Sequence, residues 1–152
     1  MKADVTFQKE FFIDIMRELP PLVLKHYKEV QVEENGEDCN VAWLRYVELE
    51  RSGALHILTV RVDSHLVGYY FNMLFPHLRH ADRLCAWSDV FFVLPEYRRE
   101  GVGVRLFEEN DKMLKELGVK KNFISFKAHI DLRKLLKRLK YTLTEYVMCR
   151  WL

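Results

Sequence analysis

Apolar residues recur along this chain with two periods, and the change from one to the other organises it. Over residues 8–19, Phe11, Phe12, Ile15 and Leu19 share one helical face. Pro20 and Pro21 are predicted to stop that helix, and Leu22 to about Val32 reads as a second. Asn35-Gly36, within Glu33 to Asp38, marks a turn. Asn40 is placed to cap a third helix from Val41 to about Arg51, which Gly53 ends. Val5 to Phe7 reads as a short strand ahead of these helices.

From Ala54 the pattern is that of strands. Ala54–Val62 and Leu66–Phe75 are rich in aliphatic and aromatic residues and are separated by Asp63-Ser64-His65, which predicts a hairpin closed by Pro76. Leu84–Leu94 reads as a third long strand ended by Pro95. Helical spacing returns over Gly101–Leu117, where Leu106, Phe107, Met113, Leu114 and Leu117 form a stripe and Gly118 a stop. A strand at Asn122–Ala128, a helix carrying Leu132, Leu135, Leu136 and Leu139, and a strand at Thr142–Trp151 complete the prediction. That order implies an α/β (α+β) fold: a mixed sheet with helices on both faces. Fold class alone names no chemistry.

The 152 residues fit one domain, residues 1–152, and the apolar content of 49% supports a sizeable core. No apolar run reaches the ~18 residues that span a bilayer, and residues 1–18 carry acidic side chains unlike a secretory leader. Cys39, Cys85 and Cys149 are odd in number and lack Cys-x-x-Cys spacing, so the reading is a reducing, cytoplasmic compartment without disulfides. The net charge of +2 conceals an asymmetry. Residues 1–50 hold six Lys/Arg against eleven Asp/Glu, and residues 120–152 hold nine against two. An acidic front attracts cations and a basic back attracts anions, although two solvated faces would look the same.

The most informative segment runs from Asp89 to Arg105. A hydrophobic strand leads into Pro95, then Arg98-Arg99-Glu100-Gly101-Val102-Gly103, which opens a helix. A helix start presents unpaired amides and partial positive charge. Glycines allow close backbone approach, and two arginines add fork-shaped donors. A pyrophosphate would be well held there; the alternative is a strand-to-helix turn that needs glycine for packing alone. No Gly-Lys-Ser/Thr follows, so the loop is not a P-loop, and Leu106 occupies the third glycine position of the dinucleotide fingerprint.

In this segment the chain resembles the GNAT superfamily of N-acetyltransferases, whose signature Gln/Arg-x-x-Gly-x-Gly/Ala follows a strand. Val93, Pro95, Glu96, Tyr97, Arg98, Gly101 and Gly103 stand at matching places. The likeness covers residues 54–152 by element order, and residues 20–30 and 66–105 also look like small bacteriophage members. The resemblance implies a mixed, mostly antiparallel sheet of six to seven strands. It implies acetyl-coenzyme A (acetyl-CoA) as cosubstrate, with Arg98 and the amides of Arg99, Glu100, Gly101, Val102, Gly103 and Val104 on its pyrophosphate. Phe91, Phe92 and Val93 would pair with the pantetheine arm where the strands splay, and Val93 N–H would face the thioester oxygen.

The implied reaction is direct attack by a primary amine, a small molecule or a protein lysine or N-terminus, and it needs a base. Asp89 is the only acid on the strand; by parity it shares a face with Phe91 and Val93, and the family's usual glutamate position holds Trp87. The family's tyrosine acid falls at Leu136, so that acid is missing, while Tyr141 falls at a core aromatic. His129, at the start of the last helix, and Tyr146, on the last strand, are the substitute acids. Glu33, Glu34, Glu37 and Asp38 favour a cationic acceptor. Many members dimerise, but nothing in the sequence shows it here. His77-x-x-His80 with Asp82 is too few ligands for a metal site. Two rivals stand beside this reading. One is a non-catalytic coenzyme- or partner-binding module, favoured by Leu136 and the displaced Asp89. The other, weaker, is a nucleic-acid partner of the basic helix face of Arg133, Lys134, Lys137, Arg138 and Lys140.

Overall fold

The computed structural model describes residues 4–30 and 38–152. Glu33, Glu34, Glu37 and the Asn35-Gly36 turn lie outside them. Five strands form one sheet in the order β1 to β5: β1 (Val5–Lys9), β2 (Leu55–Val62), β3 (His65–His77), β4 (His80–Val93) and β5 (Lys121–Phe123). The first four are antiparallel neighbours, and β5 runs parallel to β4. The sheet is therefore mixed and mostly antiparallel as expected, but it has five strands among the described residues rather than six or seven. Asn122–Ala128 contributes only the short β5. Residues 142–152 form no strand and are exposed.

The helices are α1 (Phe12–Ile15), α2 (Leu19–Val30), α3 (Trp43–Arg51), α4 (Val102–Glu116) and α5 (Arg133–Arg138). Pro20 and Pro21 do not end a helix; they sit in the first turn of α2. First-turn amides have no intrahelical acceptor, so proline costs nothing there and its fixed φ suits the helix.

Two side-chain layers sandwich the sheet. On one face Phe71 packs edge-on to Phe12 of α1 and to Tyr46 of α3, and Phe12 stacks on Tyr46 at 5.2 Å. On the other, Tyr70 and Phe91 meet Phe107 of α4 at 5.7 and 5.1 Å. Beside them Asn72 and Asn110, both buried, bond reciprocally through their side-chain amides. Such a pair satisfies its own donors and acceptors and fixes α4 along the sheet. β2 is buried on both faces, which its near-continuous apolar run requires.

Two local features set where β4 lies. Gly68 of β3 is opposite Val93, and a Cβ there would come within 2.7 Å of Phe92 O; only glycine allows the strands this approach. Further along, Phe71 is opposite Val90 and Asn72 is opposite Ser88, so Asp89 is an extra residue in β4, a β-bulge.

Candidate active site

The bulge decides where the strand's acid points. Ser88 lies opposite Asn72 on the α4 face, and its Oγ accepts from Ser125 N at 2.9 Å. Asp89 then projects from the opposite face, where its exposed carboxylate accepts a hydrogen bond from Tyr46 Oη of α3 at 2.5 Å. Phe91 lies on the α4 face. The parity expectation is therefore corrected: the extra residue inverts the alternation, and Asp89 shares its face with Phe92 rather than with Phe91 and Val93.

β4 and β5 pair only from Cys85↔Lys121 to Trp87↔Phe123. Beyond Trp87 they part, and the Ser125–Ser88 bond is a side-chain link across the start of the gap. Leu94 N donates to Val67 O of β3. In an antiparallel pair main-chain groups alternate sides, so those of Phe92 face β3 while those of Phe91 and Val93 face the gap. Of the three residues expected to offer free backbone, Phe92 does not: its groups belong to the sheet. Its side chain faces the helices, stacked on His26 of α2 at 4.7 Å.

Past β4 the chain makes two 3-10 turns, Pro95–Tyr97 and Arg99–Gly101. Glu100 and Gly101 both have positive φ, 58° and 78°. Two successive left-handed residues turn the backbone sharply into α4, whose start has no side-chain cap. Val102 is buried and anchors the turn in the core. A Cβ at Gly103 would meet nothing within 4 Å, so the first turn of α4 opens onto free space. Uncapped amides, a helix dipole and an open approach suit an anion.

Arg98 is placed differently from the expectation. Its Nε donates to Val93 O at 2.7 Å and its Nη2 to Glu29 of α2 at 2.7 Å, with the guanidinium over the Phe92 ring. It clamps α2 to the end of β4 and occupies one gap-facing carbonyl. Arg99, Glu100 and Gly101 are exposed.

The sequence reading overlooked a group beside this clamp. His26 Nδ1 is 2.9 Å from Tyr69 Oη. Burial lowers the His26 pKa to about 4, with Arg98 adding to the effect and Glu29 opposing it. Burial likewise raises the Tyr69 and Tyr46 hydroxyls, and for Tyr46 the bond to Asp89 adds to it. His26 continues the stripe of Leu19 and Leu22 at helical spacing, and a polar residue on an apolar stripe is the one sign the sequence held.

His129 is exposed in the turn before α5, and Tyr146 is exposed on residues 142–152. No hydrogen bond or ring contact among the described residues joins either to Asp89. Leu136 is buried in the core. Tyr141 is part-buried and hydrogen-bonded to Asp111 and Asn122, the core role expected of it. The rings of His77 and His80 lie 4.9 Å apart at the β3–β4 hairpin tip. Arg83 foremost, with neighbouring His77, Arg79 and Lys121, lowers the His80 pKa, a cationic setting that opposes a metal ion. No group of three or more His, Cys, Asp or Glu among the described residues could hold one.

The acetyltransferase (GNAT) family profile matches residues 14–141. The chain belongs to the GNAT acetyltransferase family. Its enzyme class is N-acetyltransferase, and GNAT acetyltransferases use acetyl-CoA. No curated protein sequence matches the chain. Solved GNAT structures do. A possible acetyltransferase from Clostridium difficile 630 has TM-score 0.76 and 14% identity over 97% of this chain and 96% of that one. A predicted acetyltransferase from Clostridium acetobutylicum, solved with acetyl-CoA, has TM-score 0.72 and 12% identity over 97% and 96%. A ribosomal-protein-alanine N-acetyltransferase from Brucella melitensis biovar Abortus 2308 has TM-score 0.69 and 20% identity over 96% and 99%. At these identities the likeness is one of fold. No helix among the described residues of this acetyltransferase is long and apolar enough to cross a membrane.

Proposed function

We propose that residues 1–152 form one acetyltransferase domain that moves an acetyl group from acetyl-CoA to a primary amine by direct attack. The carrying observation is the turn of Glu100 and Gly101, which delivers an uncapped α4 start beside the free edge of β4. The amides of the Arg99 to Val104 loop hold the pyrophosphate, except that of Val102, whose N–H donates to Arg99 O within the turn. The gap-facing groups of Phe91 and Val93 N–H take the pantetheine amides, and Arg98 braces the loop through Val93 O and Glu29. Acetyl-CoA supplies an activated thioester.

Asp89 accepts the proton that the ammonium must lose, directly or through a water. The freed amine forms the N–C bond as the C–S bond breaks, the electron pair leaves on sulfur, and the second proton of the new amide nitrogen passes to the departing thiolate. Thiols have pKa values near ~8.5, so the thiolate leaves and is reprotonated without the tyrosine that Leu136 replaces. The acceptor approaches on the α1–α3 face, where the exposed Asp89 favours a cationic amine. Cys39, Cys85 and Cys149 are free thiols, which fits a cytoplasmic site of action.

The glycine turn supplies the test. Gly103→Asp puts a carboxylate into open space, so the fold persists while acetyl-CoA binding weakens by at least ~10²-fold, a like-charge cost of several kcal/mol. Titration calorimetry with a circular dichroism control measures it, and unchanged affinity would falsify the loop assignment. Thiol release over an amine panel then separates an enzyme from a module that only binds the coenzyme.

A further inference from the structure

One row of side chains along β4 changes sign from end to end. From Leu84 to Ser88 the strand pairs with β3 without interruption, Leu84↔Pro76 to Ser88↔Asn72. Ser88 faces α4, so Trp87 and Cys85, and Arg83 before them, lie on the other face. The bulge brings Asp89 to that same face. From the carboxylate toward the hairpin tip the row is therefore Asp89, Trp87, Cys85, Arg83: acid, indole, thiol, guanidinium. Trp87 stacks on Phe123 of β5 at 5.2 Å, and Lys121 Nζ lies over the Phe123 ring at 4.6 Å. Asp89, Arg83 and Lys121 are exposed, Trp87 and Phe123 half-buried.

Beyond Trp87 the charge is of one sign. A hollow of about 380 Å³ opens over Cys85, lined by Arg79, Arg83, Lys120, Lys121 and both histidines of the hairpin tip, with no acid among the described residues that line it. None of these four cations is in a salt bridge among the described residues. The lowered pKa of His80, caused foremost by Arg83, reports the same unneutralised field. Cations around a concavity, without acids of their own, are the donor set for a phosphate or carboxylate. We propose that this hollow is an anion subsite for the acceptor: Arg83 and Lys121 hold a phosphate or carboxylate on the same molecule whose amine meets Asp89.

The inference rests on the reading of Asp89 as the group that receives the amine, and the strand spacing then sets the acceptor's length. Lys121 pairs with Cys85, four residues from Asp89 or about 13 Å at the strand rise. Its ammonium reaches over Phe123, the partner of Trp87, which is two residues or about 7 Å from Asp89. The acceptor's two charges are thus on the order of 10 Å apart. An apolar stretch between them lies on the Trp87–Phe123 stack. A simple amine would use Asp89 alone, and a polyamine would meet repulsion at the hollow.

Titration calorimetry with coenzyme A at saturation tests the subsite, the coenzyme keeping the probe's phosphate from the α4 loop. Aminohexyl phosphate, which matches the span, should bind at least ~10-fold more tightly than aminohexanol. Aminoethyl phosphate, too short to bridge, should show no such gain over ethanolamine. Aminoheptanoate against its amide is the carboxylate arm, and the larger gain names the anion. The double variant Arg83→Gln, Lys121→Gln, altered only at exposed positions, should cut the gain to about twofold or less with an unchanged circular dichroism spectrum. If that variant misfolds, Arg83→Gln alone serves in its place. Thiol release from acetyl-CoA should show the same preference in kcat/KM, carried by KM. Tighter binding without turnover keeps the subsite and rules against the transfer reading. Equal binding of charged and uncharged probes, or a gain that the double variant retains, overturns the proposal. So does a double variant whose sole loss is of single-stranded DNA binding, the mark of a polynucleotide surface.

Discussion

Asp89 owes its position to one hydroxyl and one extra residue. The bulge turns its carboxylate toward α3, and Tyr46 Oη, held between Phe12 and Phe71, donates to it. If Asp89 is the base, Tyr46 acts through it as a positioning residue. Asp89→Asn should lower kcat about 10²- to 10³-fold while leaving the Kd for acetyl-CoA unchanged. Tyr46→Phe should cost about tenfold alone and nothing further in the Asp89→Asn background, the signature of one coupled unit. Thiol-release kinetics on the four proteins checks this; additive losses would separate the two residues. The sequence showed Asp89 as the strand's only acid, but not its direction. A bulge is a relation between two strands, two residues opposite one, and the residues around position 89 carry no mark of it.

At the scale of elements, periodicity located nearly everything that packs within the chain. The three long strands and the helix after the glycine turn are legible because one period runs through each. The failures come where pairing decides. Asn122–Ala128 reads as a strand, but β4 has already diverged, so only three residues find a partner. Residues 142–152 read as a strand, and among the described residues no ladder forms on them. Pro20 and Pro21 read as a stop because a proline at a helix end and one at a helix start look alike in sequence. The β2–β3 hairpin gives a sharper test. Its two turn residues, Asp63 and Ser64, have φ of 47° and 69°, the doubly left-handed turn that suits twisted strands. Aspartate tolerates that region and serine does so poorly. Ser64→Gly should raise unfolding stability by about 0.5–1 kcal/mol, since its carbonyl bond to Arg61 Nη1 is retained. Urea denaturation reads the gain, and a loss would show that serine was not strained.

Across the whole molecule, two histidines couple stability to pH between 6.5 and 4. Burial lowers His26 and His56 to about 4 each, with Arg98 contributing for His26 and Lys9 for His56. The unfolded chain protonates these rings near 6.5, so between pH 6.5 and 4 it binds protons that the folded state refuses. Stability therefore falls as pH drops through that window, by up to ~3 kcal/mol per ring. The urea midpoint should decline from pH 7 to pH 4.5, and His26→Gln with His56→Gln should flatten the decline. An equally steep profile in the double variant would place the titration elsewhere. Burial also raises the Glu10 carboxyl, but bonds from Arg61 and Thr59 outweigh it and hold it below its ordinary value, so this contribution is lost only below about pH 4.5.

Gly68 sets a tolerance for the entire candidate active site. Phe92 O lies 2.7 Å from where its Cβ would be, so β3 and β4 are in contact with no slack between them. The exposed rim of β4, the turn beyond it and the mouth of α4 are all laid out from that contact. The spacing of the groups proposed for acyl transfer is thus inherited from a side chain that is not there, on a strand to which no reacting atom is assigned.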